Sequence, residues 1–423
     1  MKTIKIGLST LLFCLSLTTN AQNTNTMQQR IQSMSKEKLP EKNISSMQQI
    51  IRDFKLDPIK NAEDIDVLKG QVALSLVKTG RITACYTYIN QMKNKFNQTS
   101  FLNMATYLLI NDKKWNEAST MAQNTIARYE SYKDNPLARP VNFPLEDWNR
   151  FMQMAAAPYY EAYAETLHAQ GEDKQALLYQ EKAIKDRALE ELMQSSIELY
   201  TILLEADGQL DKAYKILLEM ASMGKASITM SNQLKKLTVK KFASEEKAIS
   251  FLDSIQANIN NKYKTEIAKK MITNVAAPNF CLLDLNGKSI SLNDLKGKIV
   301  VLDFWATWCA PCIASMPAMK KLSDKHPEVV FLFIATQESD PEAKARVQAY
   351  VKKNKFPLNL LLDQADAKNP KLFAVVNSYQ AKGIPAKMVI DKHGKLRFST
   401  EGYASDSELI NELEAMIAIA KAQ

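Results

Sequence analysis

The chain is 423 residues long and carries 55 Lys and Arg against 46 Asp and Glu, a formal charge of +9. That length predicts at least two domains. The positive surplus is spread as scattered lysines with no Arg-rich patch or nucleic-acid motif, which argues against DNA or RNA as a partner, and five cysteines exclude a disulfide-stapled scaffold.

Met1-Lys2-Thr3-Ile4-Lys5 is basic and runs into the apolar stretch Ile6 to Leu17, and Thr19-Asn20-Ala21 offers a small-residue cleavage site before Gln22. These features predict a signal peptide over 1–21. About 20 apolar residues are needed to span a bilayer as a helix, and this run is shorter. No later segment is apolar enough, so no integral membrane span is expected. Cys14 follows Phe13, which is too bulky for a lipoprotein signal. The expectation is export to the periplasm or cell envelope. Residues 22–36, rich in Gln, Asn, Thr and Ser, predict a flexible leader.

From 37 to 271 helical patterns dominate. Turn glycines followed five positions on by a small residue mark helix-turn-helix units: Gly171 with Ala176 and Gly208 with Ala213. Gly80 with Cys85, and Lys113 with Ala118, look like worn copies. Successive small positions stand 33 residues apart (Cys85 to Ala118), then 58 (to Ala176), then 37 (to Ala213). The outer two intervals approach the tetratricopeptide period of about 34, and an insertion over 129–147 holding Pro136, Pro140 and Pro144 lengthens the middle one. The region resembles a tetratricopeptide-like solenoid, with a plain helical bundle as the alternative. A solenoid would present a concave recognition surface. A linker is expected at 272–276, before a second domain over 277–423.

In that second domain the apolar run Ile299-Val300-Val301-Leu302 predicts a buried strand, and Phe304 to Cys312 carries it into a helix start. Cys309 and Cys312 form a Cys-x-x-Cys pair there. The first sulfur sits where the helix dipole favours a thiolate, and the second is one turn away, which suits thiol–disulfide exchange. A zinc knuckle would need a second ligand pair; Cys14, Cys85 and Cys281 are isolated and the chain has only three histidines. Asp303 lies on the strand, six residues before Cys309. Its apolar neighbours should desolvate the carboxyl, raise its pKa and suit it to exchange protons with the Cys312 thiol. Val329 to Ile334 and Pro357 to Leu362 predict strands, and Pro341 to Lys353 a helix. Lys387 to Ile390 with Lys395 to Ser399 predict a hairpin around His393-Gly394. Ser405-x-x-Glu408 is a capping box for a last helix through Ile417. These elements give an α/β fold, a mixed central sheet flanked by helices, behind an all-α N-terminal region.

The block Asp303 to Pro317 resembles the active site of a thioredoxin-fold oxidoreductase, and more narrowly the TlpA/ResA-like group. Ala277-Pro278-Asn279-Phe280, Leu283 to Lys288 and Leu292 to Lys298 are similar to that group's N-terminal hairpin and strand entry. Gly383-Ile384-Pro385 and Met388 to Lys395 are similar to its cis-proline loop and following hairpin. The resemblance implies a cis bond before Pro385, a buried aspartate at 303 acting on the second cysteine, and a backbone site at Ile384 for an extended substrate segment. The ResA-like branch places a glutamate three residues after its second cysteine; here Ser315 stands there, whereas Asp303 follows the thioredoxin branch.

The resulting expectation is an exported thiol–disulfide oxidoreductase that reduces disulfides in envelope proteins, with Cys309 as nucleophile and Cys312 as resolving thiol. A membrane thiol would supply electrons, and no cofactor or metal is implied. Ala310-Pro311 supplies no histidine to over-stabilise a thiolate, so reduction is favoured over oxidation. One alternative is a helical-repeat binding protein with a regulatory thioredoxin domain. Another is a thiol peroxidase, whose Pro-x-x-x-Thr-x-x-Cys setting is replaced here by Leu302 and Ala306.

Overall fold

A computed structural model of the chain describes residues 21–135, 138–139, 144–338, 343–354, 360–365, 369 and 372–423. The expected signal peptide therefore lies outside them except for Ala21, as do Pro136, Pro140 and Pro341. Two compact units divide between Leu210 and Asp211. The first unit is helical: α1 (Ala21–Lys36), α2 (Pro40–Asp53), α3 (Ala62–Lys78), α4 (Ile82–Asn90), α5 (Lys95–Asn111), α6 (Trp115–Tyr132), α7 (Leu145–Ala169), α8 (Asp173–Ile184) and α9 (Gln194–Ala206). Sequence neighbours pack on each other, α3 on α4, α5 on α6 and α7 on α8, as short connections require.

The turn residues explain that pairing. Gly80 and Gly171 take φ of 78° and 82°. In each case the next N–H returns to a carbonyl five residues back, Arg81 to Leu76 and Glu172 to Leu167. This closes the helix C-terminus in the manner of a Schellman turn. Lys113 makes the same turn without being glycine, at φ 58°, with the Lys114 N–H on the Leu109 carbonyl. Five positions after each turn, Cys85, Ala118 and Ala176 are fully buried, so a small side chain lets the next helix close in.

Residues 22–36 are not a flexible leader. They form α1, whose Met27 and Met34 are buried with Leu68, Val72 and Leu76, while Ile31 packs against the same core. Met27, Ile31 and Met34 repeat at helical spacing; the polar residues between them conceal the stripe.

The second unit opens with α10 (Leu210–Ser222), α11 (Ile228–Phe242) and α12 (Glu245–Ala268). The sheet follows, with β1 (Cys281–Asp284), β2 (Ser289–Ser291), β3 (Val300–Trp305), α13 (Ala310–Lys325), β4 (Val330–Ala335), α14 (Ala343–Asn354), β5 (Leu360–Leu362), α15 (Ala374–Ser378), β6 (Ala386–Ile390), β7 (Leu396–Glu401) and α16 (Asp406–Lys421). The strand order is β2-β1-β5-β4-β3-β6-β7. β3, β4 and β5 run parallel, and the remaining neighbours pair antiparallel. All six residues of β3 are buried, as an apolar strand covered on both faces requires. Val301 and Trp305 face the core built with α13 and α16, and Val300, Leu302 and Phe304 face the opposite core. By the pleat, Asp303 points to the α13 side. Ser405 caps α16, its Oγ accepting the Glu408 N–H at 3.3 Å, and the helix continues to Lys421 rather than ending at Ile417.

The change from helix to sheet near 272–276 does not coincide with the division into compact units. The Ile272 N–H donates to the Arg397 carbonyl at 2.8 Å and the Leu396 N–H to the Val275 carbonyl at 3.0 Å. The expected linker is thus paired along β7, whose edge offers unfilled backbone groups. α12 packs along α16, and Ile267 is buried in the α13–α16 core with Tyr263 packed against it. Asn411 of α16 donates through Nδ2 to the Gly224 carbonyl at 3.0 Å. Gly224 is fixed there by φ 71°, and a Cβ would stand 2.8 Å from Asn411 Nδ2. Ile267→Ala should therefore destabilise the second unit by about 2–5 kcal/mol, read by urea unfolding of the full chain. A loss within ordinary surface range, about 0.5 kcal/mol, would place α12 outside this core.

Candidate active site

β3 stops at Trp305, and after three residues Cys309 becomes the N-cap of α13, with Pro311 in the first turn, where its missing N–H is not needed. Cys309 and Cys312 are joined by a disulfide. Cys309 Sγ accepts the Cys312 N–H at 3.3 Å, so the sulfur occupies the capping place for the helix's free amides. Cys312 is wholly buried, and Cys309 retains the small exposure of the pair. Facing them, the Ile384–Pro385 peptide bond is cis, and the Ile384 carbonyl oxygen lies 3.7 Å from Cys309 Sγ. Three of the four expected site residues, Cys309, Cys312 and Pro385, thus meet at the N-terminus of α13.

The loop that carries Cys309 is tied down by residues that no sequence motif announces. Glu338, buried just past β4, accepts the Thr307 N–H through Oε1 at 2.6 Å. Its Oε2 accepts from Arg346 of α14, whose Nε also reaches Thr307 Oγ1 at 3.2 Å. Trp308 Nε1 donates to the Gln337 carbonyl at 3.1 Å, leaving that ring 59% exposed beside the disulfide. Trp305 is buried in the core. A charge-assisted hydrogen bond onto a partly buried amide is among the stronger local ties.

The fourth expected residue, Asp303, sits beneath this arrangement. It is buried on the sheet face whose core includes Cys312. Burial pushes its carboxyl above the usual carboxylate range, and the Lys387 ammonium pulls it back part of the way. Lys387 is itself fully buried, its Nζ 3.2 Å from Asp303 Oδ1, within ion-pair distance but outside hydrogen-bond alignment. β3 and β6 pair with Asp303 opposite Lys387. Sequence reading passed over Lys387; its signal was a lysine inside the otherwise apolar run 386–390.

The remaining candidates separate. Ser315 is buried, and its hydroxyl turns back to the Cys312 carbonyl at 2.8 Å, an ordinary helix contact rather than an acid beside the thiols. Cys85 is buried and its thiol is pushed up to about 12, so it is inert. Cys281 is exposed, because the outward alternation of β1 begins with it. Among the described residues no cluster of three or more His, Cys, Asp or Glu is placed to hold a metal, and no helix is long and apolar enough to cross a membrane.

Residues 273–399 match the AhpC/TSA family. The thiol-disulfide oxidoreductase ResA of Bacillus cereus is 36% identical over 136 residues, 32% of this chain and 70% of that protein. The ResA of Bacillus anthracis is 39% identical over 138 residues, again 32% of this chain and 70% of its own. Among solved structures, the thioredoxin domain of a thiol-disulfide oxidoreductase from Bacteroides vulgatus shares 28% identity with a TM-score of 0.28, covering 34% of this chain and 96% of that one. With a capping Cys-x-x-Cys pair and relatives matched over most of their length, the chain belongs to the ResA family of thiol–disulfide oxidoreductases, its dithiol carried on a C-terminal thioredoxin fold.

Proposed function

We propose that this thiol–disulfide oxidoreductase is exported and reduces disulfides of cell-envelope proteins, drawing its electrons from a membrane thiol donor. The observation that carries the reading is the placement of Cys309 at the N-cap of α13, against the Ile384 backbone and with Cys312 buried behind it. The run 1–21 supports export. The absence of a histidine between the cysteines supports the reducing direction. The helical first unit, read as tetratricopeptide-like, is the part that selects the partner.

In the reduced enzyme the Cys309 thiolate is held by the Cys312 N–H and the helix dipole. An extended substrate segment aligns on Ile384, and Cys309 attacks its disulfide, releasing one substrate thiolate. Cys312 then attacks Cys309 Sγ, its proton passing to the Asp303 carboxylate, and the second substrate sulfur leaves. Only the charged form of Asp303 can accept that proton. Burial raises its pKa, so the base form appears as pH rises past the ordinary carboxylate value of about 4. The resolving step therefore speeds up with pH through that raised value.

Three measurements test this reading. Cys309→Ser should abolish reduction of a protein disulfide, while Cys312→Ser should accumulate substrate-linked mixed disulfides on non-reducing gels; equal trapping by both variants would reverse the assignment. Asp303→Asn should slow the resolving step by about 10²-fold at neutral pH and remove its carboxylate inflection; a pH–rate profile like that of the wild type would leave Asp303 a structural role only. Amino-terminal sequencing of the protein from an envelope fraction should begin at or near Gln22, and recovery from cytosol with Lys2 retained would overturn export.

A further inference from the structure

Between β3 and α13 the chain makes a β-turn, closed by the Cys309 N–H on the Ala306 carbonyl at 3.1 Å, with Thr307 and Trp308 at its two central places. Thr307 is gripped there at two atoms. Its N–H donates to Glu338 Oε1 at 2.6 Å, and its Oγ1 accepts from Arg346 Nε at 3.2 Å. Arg346 also donates to Glu338 Oε2, from Nη2 at 2.5 Å and from Nε at 3.2 Å. Thr307, Glu338 and Arg346 thus form a closed ring of hydrogen bonds in which each residue holds the other two.

The two members outside the turn are themselves fixed. Glu338 is buried just past β4, where a carboxylate needs a cation beside it, and the half-buried Arg346 supplies one. Two guanidinium nitrogens on Oε2 leave Oε1 aimed at the Thr307 amide, a direction that a single ammonium would not fix. Arg346 is set in turn by α14. The next residue, Val347, is fully buried in the α13–α16 core, and Tyr350 lies with its ring 5.8 Å from that of Trp305 at the end of β3. Residues four apart share a helix face, so Arg346 and Tyr350 together address the end of β3 and the turn that follows it.

We propose that Thr307, Glu338 and Arg346 act as one positioning unit for the nucleophile, holding the turn so that Cys309 Sγ stays on the Cys312 N–H at the N-cap of α13. The proposal rests on the reading of Cys309 as the attacking thiol. In that attack the thiolate's electron pair forms the bond to one substrate sulfur and the substrate S–S bond breaks. The leaving sulfur keeps the bonding pair and takes a proton from water. A Cys309 sulfur that drifts from the cap loses the stabilisation of the helix end, so less of it is thiolate at a given pH. Charge alone acts the other way, because deleting only the Glu338 carboxylate favours a thiolate nearby. Removing Glu338 and Arg346 together leaves the net charge unchanged and isolates the effect of position.

The test uses the reduced full chain and follows iodoacetamide alkylation across pH, with the label on Cys309 read by peptide mass because Cys281 is also exposed. The buried Asp303–Lys387 pair beneath the dithiol is the same in every variant. Glu338→Ala/Arg346→Ala should raise the midpoint of the profile by about half a pH unit, the scale of a helix-end contribution, with the high-pH plateau unchanged. Glu338→Gln/Arg346→Gln has the same charge balance but keeps an acceptor for the Thr307 amide, and should recover most of that shift. A midpoint in the double alanine variant at or below that of the wild type, or an equal rise in both double variants, would overturn the proposal. If the double alanine variant does not fold, Thr307→Val decides. It removes Oγ1 with no change of charge and should move the midpoint upward, whereas a profile superimposing on the wild type would overturn the unit. If the label in the wild type enters Cys312 ahead of Cys309, the reading of Cys309 itself fails. Cys309 labelled first, with a midpoint that none of these variants moves, overturns only the present inference.

Discussion

A carboxyl at the centre of a doubly covered strand has to find a cation or keep its proton, because the desolvation of an unpaired charge costs several kcal/mol. Asp303 meets that demand with Lys387, itself without exposure, across the β3–β6 pair. The pair constrains much else. It requires β6 to lie beside β3 in this register, so that the residue two places after Pro385 faces the residue six places before Cys309. The same register carries the cis-proline loop to the end of β3, where the cysteines emerge. A shift by one residue would turn Lys387 to the opposite face and strand the charge.

Above that pair, the geometry of the dithiol is set by two restraints of different origin. The helix supplies free amides and a dipole, and Cys309 takes the N-cap place from which both act on its sulfur. The loop leading to it is held from the other side, by the Glu338 carboxylate on the Thr307 amide and by the Trp308 indole on the Gln337 carbonyl. Only the first bears on the sulfur itself; the second acts through the backbone. Together they limit how far the Cys309 backbone can move.

What could be read from the sequence was whatever is local. The strand-turn-helix passage through Cys309, the apolar setting of Asp303, the Gly-Ile-Pro loop and the Ser405 cap each lie within a few consecutive residues, and each stands where expected. Lys387, Glu338 and Arg346 act through contacts set by strand pairing and by a loop past β4, and isolated charged residues give no periodic signal of such a place. α1 was missed because three apolar side chains at helical spacing are diluted by a polar composition. The true extent of the sheet-bearing unit was hidden for a related reason. Composition changes where helices give way to strands, whereas packing follows Ile267 and Asn411, which tie α12 and the turn at Gly224 to α16.

The pairing of residues 272–277 along β7 bears on how the molecule can associate. A sheet has two borders, and an unoccupied border is a template on which a strand of another molecule can grow. Here the start of the β7 border is taken by the chain's own passing segment, with Ile272, Val275 and Ala277 in backbone contact with Arg397, Leu396 and Gly394. The other border is the three-residue β2, Ser289–Ser291, too short to seed extended growth. Strand addition is thereby hindered where residues 272–277 run beside the start of β7 and starved at β2, so neither border offers a full-length template to a passing peptide.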